Sequence, residues 1–245
     1  MNPDSLILFC IALTIIAFLY SSVGHAGASG YIAVMALSGL SAQTIKPLAL
    51  VLNIVVAIVT TYNFLRLGHF SWKIFIPLAI TSVPLAFLGG YLKVPDHFLK
   101  ILIGLVLLFS SARFFFYPKE PKITIPPPRG TSLACGGFLG LLSGLTGTGG
   151  GIFLTPLLLH MKWAKIKTAA GISALFILVN SAAGLAGHTL KTKDMPPFIF
   201  AMMICVLVGG ATGSYLGSNR YKPEIIKRCL ALVLLIAGLK LIFFS

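Results

Sequence analysis

Carboxylates are almost missing from this chain. Of its 245 residues, five are Asp or Glu, against 19 Lys and Arg. Asp4, Asp96, Glu120, Asp194 and Glu224 all stand in loops or at the ends of apolar stretches. No acid is therefore placed mid-membrane for a cation site or an acid-based proton relay, which favours an anion as cargo. Charge of either sign is sparse: 10% of residues are charged and 57% hydrophobic, far from an ordinary soluble domain. Cys10, Cys135, Cys205 and Cys229 stand singly, without a CxxC pair, and read as small core residues rather than disulfides or metal ligands. There is no HExxH, no paired carboxylate and no His pair at haem-binding spacing. These absences predict no catalytic residue, no metal and no cofactor. The N-terminus has Asp4 and no basic n-region, so no cleaved signal peptide is expected.

What is present is apolar sequence in repeated lengths fit for a bilayer, with a mean hydropathy of +0.98. The chain reads as an all-α polytopic membrane protein whose partner is the lipid bilayer. The net charge of +14 is spread through inter-helix loops and reads as topological, with no nucleic acid implied. Residues 1–117 form a first membrane repeat with apolar segments at Leu6–Ser22, Gly30–Leu40, Pro47–Leu65, Trp72–Leu92 and His97–Tyr117. Residues 118–130 form a basic linker stiffened by Pro126, Pro127 and Pro128. Residues 131–245 form a second repeat, with segments at Thr131–Leu145, Gly151–Met161, Ala164–Ala186, Pro196–Ser218 and Ile225–Phe244.

The halves match in detail. Ser22 to Gly30 aligns without gaps on Ser143 to Gly151, and Ile45-Lys46 then falls on Ile166-Lys167. Gly68-His69 resembles Gly187-His188, and Pro95-Asp96 resembles Pro223-Glu224. Duplication of this kind is common in transporters. The second segment of each half has eleven residues, about 17 Å of helix against a hydrocarbon core of about 30 Å. It is either the second part of a broken span or the return arm of a hairpin. Broken spans divide the Lys and Arg residues ten against nine between the two faces, which is no bias. Hairpins divide them thirteen against six, the six being Lys46, Lys93, Lys100, Lys191, Lys193 and Lys240. The second division obeys the positive-inside rule. It predicts two inverted repeats, each a Gly-rich re-entrant hairpin plus three transmembrane helices, with both termini outside and the linker in the cytoplasm.

In that arrangement each short helix directs its N-terminus inward, where unpaired N–H groups and the helix dipole favour an anion. The predicted substrate-binding residues are Ser22, His25, Gly27, Ser29 and Gly30 in the first loop. Those of the second are Ser143, Thr146, Thr148, Gly149, Gly150 and Gly151. Asn53 and Asn180 are candidates for lining the path, with interhelical hydrogen bonding as the alternative. His25 is either an anion donor and coupling group or a satisfied core histidine. The series Gly136, Gly140, Gly144 and Gly209, Gly213, Gly217 have the spacing of helix-packing residues. Pro84 and Pro156 are expected to kink their helices. Thr148→Val and Gly150→Leu are expected to abolish anion binding in a folded protein.

The run Gly147-Thr148-Gly149-Gly150-Gly151-Ile152-Phe153-Leu154-Thr155-Pro156, followed by Lys167-Thr168-Ala169-Ala170-Gly171-Ile172-Ser173, resembles the signature of the TauE/SafE sulfite-exporter family. Two homologous halves and a basic central linker are similar to that family as well. The first loop departs from the pattern, with His25, Ala26, Ala28 and Ser29 where the second has Gly or Thr, and Met35 where Pro156 stands. The resemblance implies transport of sulfur-containing anions such as sulfite, sulfonates, sulfoacetate or thiosulfate. The sequence thus predicts a multi-pass plasma- or inner-membrane secondary transporter of a small anion, an exporter by the resemblance, acting by alternating access. A passive anion channel, or a carrier of another carboxylate or oxyanion, is the alternative; a homo-oligomer is left open.

Overall fold

The computed structural model describes residues 3–22, 24–115, 121–189, 198–219, 234–236, 239 and 242–243. The described helices are α1 (Pro3–Ser21), α2 (Ala28–Leu37), α3 (Ala42–Arg66), α4 (Trp72–Tyr91) and α5 (Asp96–Phe115), then α6 (Arg129–Thr146), α7 (Gly151–His160), α8 (Ile166–Thr189) and α9 (Ile199–Asn219). Most of the segment Ile225–Phe244 lies outside the described residues, as do Pro118 to Glu120, Asp194, Glu224, Cys229, Lys191, Lys193, Arg220, Lys222, Lys227, Arg228 and Lys240.

The expected architecture of three transmembrane helices in each of two inverted repeats is overturned. Among the described residues four helices are long and apolar enough to cross a membrane: α3, α4, α8 and α9, two in each half. The described apolar stretches of α5, His97–Ala112, and of α1, Ile7–Ser21, are shorter than that.

Local rules explain most boundaries. α3 starts five residues before Pro47, because Ser41 caps it by accepting from the Thr44 N–H at 3.3 Å. Pro47 and Pro84 are carried inside α3 and α4, and Pro156 inside the short α7. α1 stops on a Schellman turn at Gly24, with the His25 N–H bonded to the Tyr20 carbonyl at 3.0 Å and the Gly24 N–H to the Ser21 carbonyl at 3.1 Å. The proline linker is tied down rather than free, since the Ile125 N–H donates to the Lys162 carbonyl at 2.8 Å.

Tertiary packing crosses the halves. α3 and α8 lie against each other; α4 packs on α6 and α8, and α9 on α1 and α3. The glycine series make these crossings close. A Cβ on Gly136, Gly140 or Gly144 of α6 would lie 2.3, 2.2 and 2.0 Å from the carbonyl oxygens of Leu78, Ser82 and Ala86 of α4. Gly209 and Gly213 of α9 meet the Thr14 and Phe18 carbonyls of α1 in the same manner, at 2.2 and 2.1 Å. The packing role expected from their spacing holds at these five positions.

The distribution of polarity is that of a protein whose solvent is lipid. Ile7, Leu8 and Ile11 of α1, Ile76 and Ile80 of α4, and Phe200 and Ile204 of α9 are exposed, while Asn53, Thr60, Ser82, Ser143, Ser173, Asn180 and Ser181 are buried. Trp72 opens α4 beside Phe70, ring centroids 4.8 Å apart, as an interfacial aromatic would.

His69 lies in the turn between α3 and α4, where burial and then the Lys167 charge lower its pKa from 6.5. Because the folded pKa is the lower one, the unfolded chain binds the proton more readily. Stability is complete above the ordinary histidine pKa and falls as pH drops through the folded value. His69→Gln is expected to flatten that part of the pH–stability curve, as read by thermal unfolding in detergent.

Candidate functional site

The two glycine loops fall where the sequence places them, each between a long helix and a ten-residue one. Both are buried: so is every residue from 24 to 33 and from 146 to 152. Gly27 (φ 106°) starts α2, and Gly147 (φ 77°), Gly149 (φ 72°) and Gly150 (φ 77°) carry the second loop, all in the left-handed region that glycine enters without strain.

These turns leave donors over. In the first loop the backbone hydrogen bonds resume at Tyr31 N–H to the Gly27 carbonyl, 2.9 Å. In the second they resume at Phe153 N–H to the Gly150 carbonyl, 3.2 Å. Among the described residues, the amides of Ala26, Gly27, Ala28, Ser29 and Gly30 reach no backbone acceptor, and neither do those of Thr148, Gly149, Gly150, Gly151 and Ile152. Each loop thus presents five consecutive N–H groups at a helix N-terminus, an arrangement suited to an anion.

The side chains of the two loops differ. In the first, the Ser29 hydroxyl is paired with the Tyr20 hydroxyl at 2.9 Å, and the Tyr31 hydroxyl donates to the Ala26 carbonyl. A Cβ on Gly27 would meet the Tyr31 ring at 2.7 Å, and one on Gly30 the Ile16 side chain at 2.5 Å. Ser29 and Gly30 therefore hold α2 against α1, while Gly27 packs on the Tyr31 ring of α2 itself. Ser22 is half-buried and donates to the Leu19 carbonyl at 2.7 Å. Tyr20→Phe would leave the buried Ser29 hydroxyl without that partner and is expected to cost about 1–2 kcal/mol in unfolding experiments.

In the second loop Thr146 donates to the Leu142 carbonyl at 2.7 Å and pairs with the Thr148 hydroxyl at 2.9 Å. With the Thr146 proton committed, Thr148 is the donor of that pair. Asn53 Nδ2 lies 3.4 Å from the Gly147 carbonyl and 3.4 Å from Ser181 Oγ, while its Oδ1 has no partner among the described residues. Ser143 Oγ and Asn180 Oδ1 are likewise buried without a partner among the described residues, though Asn180 Nδ2 donates to the Phe176 carbonyl at 2.9 Å. Unmade bonds at such atoms cost about 1–3 kcal/mol each, and Ser143 borders Gly150 directly.

His25 ties the first loop to α7 of the other half. Its Nε2 lies 3.2 Å from Thr155 Oγ1 of α7, and Thr155 Oγ1 lies 2.8 Å from Ser173 Oγ of α8. Otherwise each loop rests on the central helix of the other half: Gly24 on Ala170 of α8, Gly147 on Lys46 of α3. Sequence reasoning missed Tyr20, Thr155 and Ser173, whose hydrogen-bond partners lie on other helices or in the other half. It also took Lys46 for a loop charge, whereas Lys46 is 3% exposed inside α3. For Thr155 and Ser173 a signal was present, since both belong to the runs that carry the family resemblance.

A family model described as "Sulfite exporter TauE/SafE" matches residues 8–241. The chain belongs to the TauE/SafE family. It is a multi-pass protein of the plasma or inner membrane and a transporter of small anions rather than an enzyme. A "Probable membrane transporter protein" of Sinorhizobium fredii is 39% identical over 238 residues, covering 95% of this chain and 96% of that one. Another, of Methanocaldococcus jannaschii, is 26% identical over 196 residues, covering 75% and 73%. A third, of Xylella fastidiosa, is 35% identical over 91 residues, covering 36% and 33%. No solved structure matches.

Proposed function

We propose that this TauE/SafE protein is a secondary carrier that exports a small sulfur oxyanion, such as sulfite or an organosulfonate, by alternating access. The observation that carries the reading is the pair of buried loops in which, among the described residues, five consecutive amides each reach no backbone acceptor. An oxyanion has several acceptor oxygens and no donor to spare, which matches a site made of N–H groups and hydroxyls. Thr148 supplies a hydroxyl by turning from Thr146 to the cargo, and Ser143 supplies one at no cost in existing protein bonds. The N-termini of α2 and α7 add partial positive charge. Burial of both loops fits an occluded state of such a carrier.

Reconstituted protein tests this directly. Liposome flux of sulfite, sulfoacetate, thiosulfate, sulfate, lactate and chloride is measured against concentration. Saturable flux of a sulfur oxyanion supports the carrier. Unsaturated flux of many anions would mean a channel, and saturable flux of lactate alone would mean a carboxylate carrier.

A further inference from the structure

Lys46 is a buried cation that the loop site does not use. Its ammonium donates to the carbonyls of Gly89 and Gly90 at 3.0 and 3.2 Å, at the C-terminal end of α4, where the helix dipole welcomes positive charge. An ammonium has three protons, so one donor is left after these two bonds. Among the described residues Lys46 forms no ion pair with a carboxylate. A buried charge without a counter-charge is costly, and carbonyl dipoles offset only part of that cost.

A cavity of about 410 Å³ opens on it. Its polar lining includes Gln43, Thr44, Lys46, Lys93 and His188, and Gly90 also borders it. Lys46 is buried, Thr44 and His188 are half-buried, and Gln43 and Lys93 are exposed, so polarity runs from the surface inward to a fixed cation. The same residue reaches the candidate site through its backbone. The Lys46 carbonyl oxygen lies 2.8 Å from where a Cβ on Gly147 would stand, so pocket and glycine loop share one wall.

We infer that this pocket is a second anion site, a vestibule in which the Lys46 ammonium, helped by Lys93 and His188, holds a small oxyanion on its way to or from the second glycine loop. The inference rests on the anion-carrier reading. It explains why a Lys stands within a membrane-crossing helix: the cargo itself is the missing counter-charge.

Sulfite is the probe, read in two ways: the KM of flux in liposomes, and the sulfite-induced rise in unfolding temperature of detergent-solubilised protein. Lys46→Met is expected to raise KM by about tenfold or more, the loss typical of a hydrogen bond to a charged group. Lys46→Arg should recover most of it. Lys93→Gln lies at the exposed rim, so it keeps the fold and decides the matter if Lys46→Met does not fold. It is expected to raise KM by about twofold to threefold at low salt, with the difference fading at high salt. Thr148→Val is expected to impair flux yet keep the part of the sulfite-induced thermal shift that Lys46→Met removes, and Lys46→Met to keep the part that Thr148→Val removes. Wild-type KM in Lys46→Met and in Lys93→Gln, with flux intact, would overturn the vestibule and leave the carrier standing. An absence of anion flux in the wild type, with a Lys46-dependent thermal shift retained, would overturn the carrier and support the pocket. A thermal shift indifferent to Lys46 and Lys93 would overturn the pocket in either case.

Discussion

Thr148→Val is expected to weaken sulfite binding by about 10-fold to 150-fold, the equivalent of about 1.5–3 kcal/mol for a hydrogen bond to a charged ligand. The protein should still fold. Val has nearly the shape of Thr, the hydroxyl removed is bonded among the described residues to Thr146 alone, and Thr146 keeps its own bond to the Leu142 carbonyl. The stability cost is therefore that of one buried hydrogen bond, about 1 kcal/mol. Equilibrium binding and thermal unfolding of the same preparation separate the two effects. Gly150→Leu, attractive from the sequence, is the poorer test. Gly150 has φ 77°, and a Cβ there would lie 2.9 Å from the Phe176 ring, so loss of binding could follow from strain alone.

Gly90→Val is expected to yield no folded protein, or one destabilised by about 3 kcal/mol or more. A Cβ at Gly90 would lie 2.0 Å from the Gly184 carbonyl oxygen of α8. One at Gly144 of α6 would lie 2.0 Å from the Ala86 carbonyl oxygen and 2.8 Å from the Gly90 amide nitrogen. Three helices from both halves thus meet backbone to backbone, and each obstacle is a main-chain atom with no rotamer to change. The change would also disturb the carbonyls that hold Lys46. Gly130→Ala is the contrast: nothing lies within 4 Å of its Cβ position, and its unfolding should match the wild type. Yield of monodisperse protein after size exclusion, with thermal unfolding, distinguishes the two variants.

Much of this was legible in the sequence, and the reasons are physical. The short helices α2 and α7 announce themselves because glycine runs end one helix and start the next within a few residues. The α4–α6 and α1–α9 contacts announce themselves because small residues four apart have few uses other than close helix crossing. The number of spanning helices did not, because a count of apolar runs gives three beside the hairpin in each half, against two in each half among the described residues. His25 with Thr155, and Asn53 with Ser181, were invisible because each pair lies more than a hundred residues apart and no local pattern joins them. Lys46 was misjudged because a positive-inside count treats every Lys near a span's end as a surface charge. α3 starts at Ala42 rather than at Pro47, and that shift takes Lys46 from the loop into the helix.

Amide hydrogen exchange with and without sulfite tests the central claim most directly, because the claim concerns backbone N–H groups. Segments 26–30 and 148–152 should gain protection at sulfite concentrations that saturate flux, while the linker 121–128 stays unchanged. Saturable sulfite flux with unaltered exchange in both loops would contradict the account and place the cargo elsewhere.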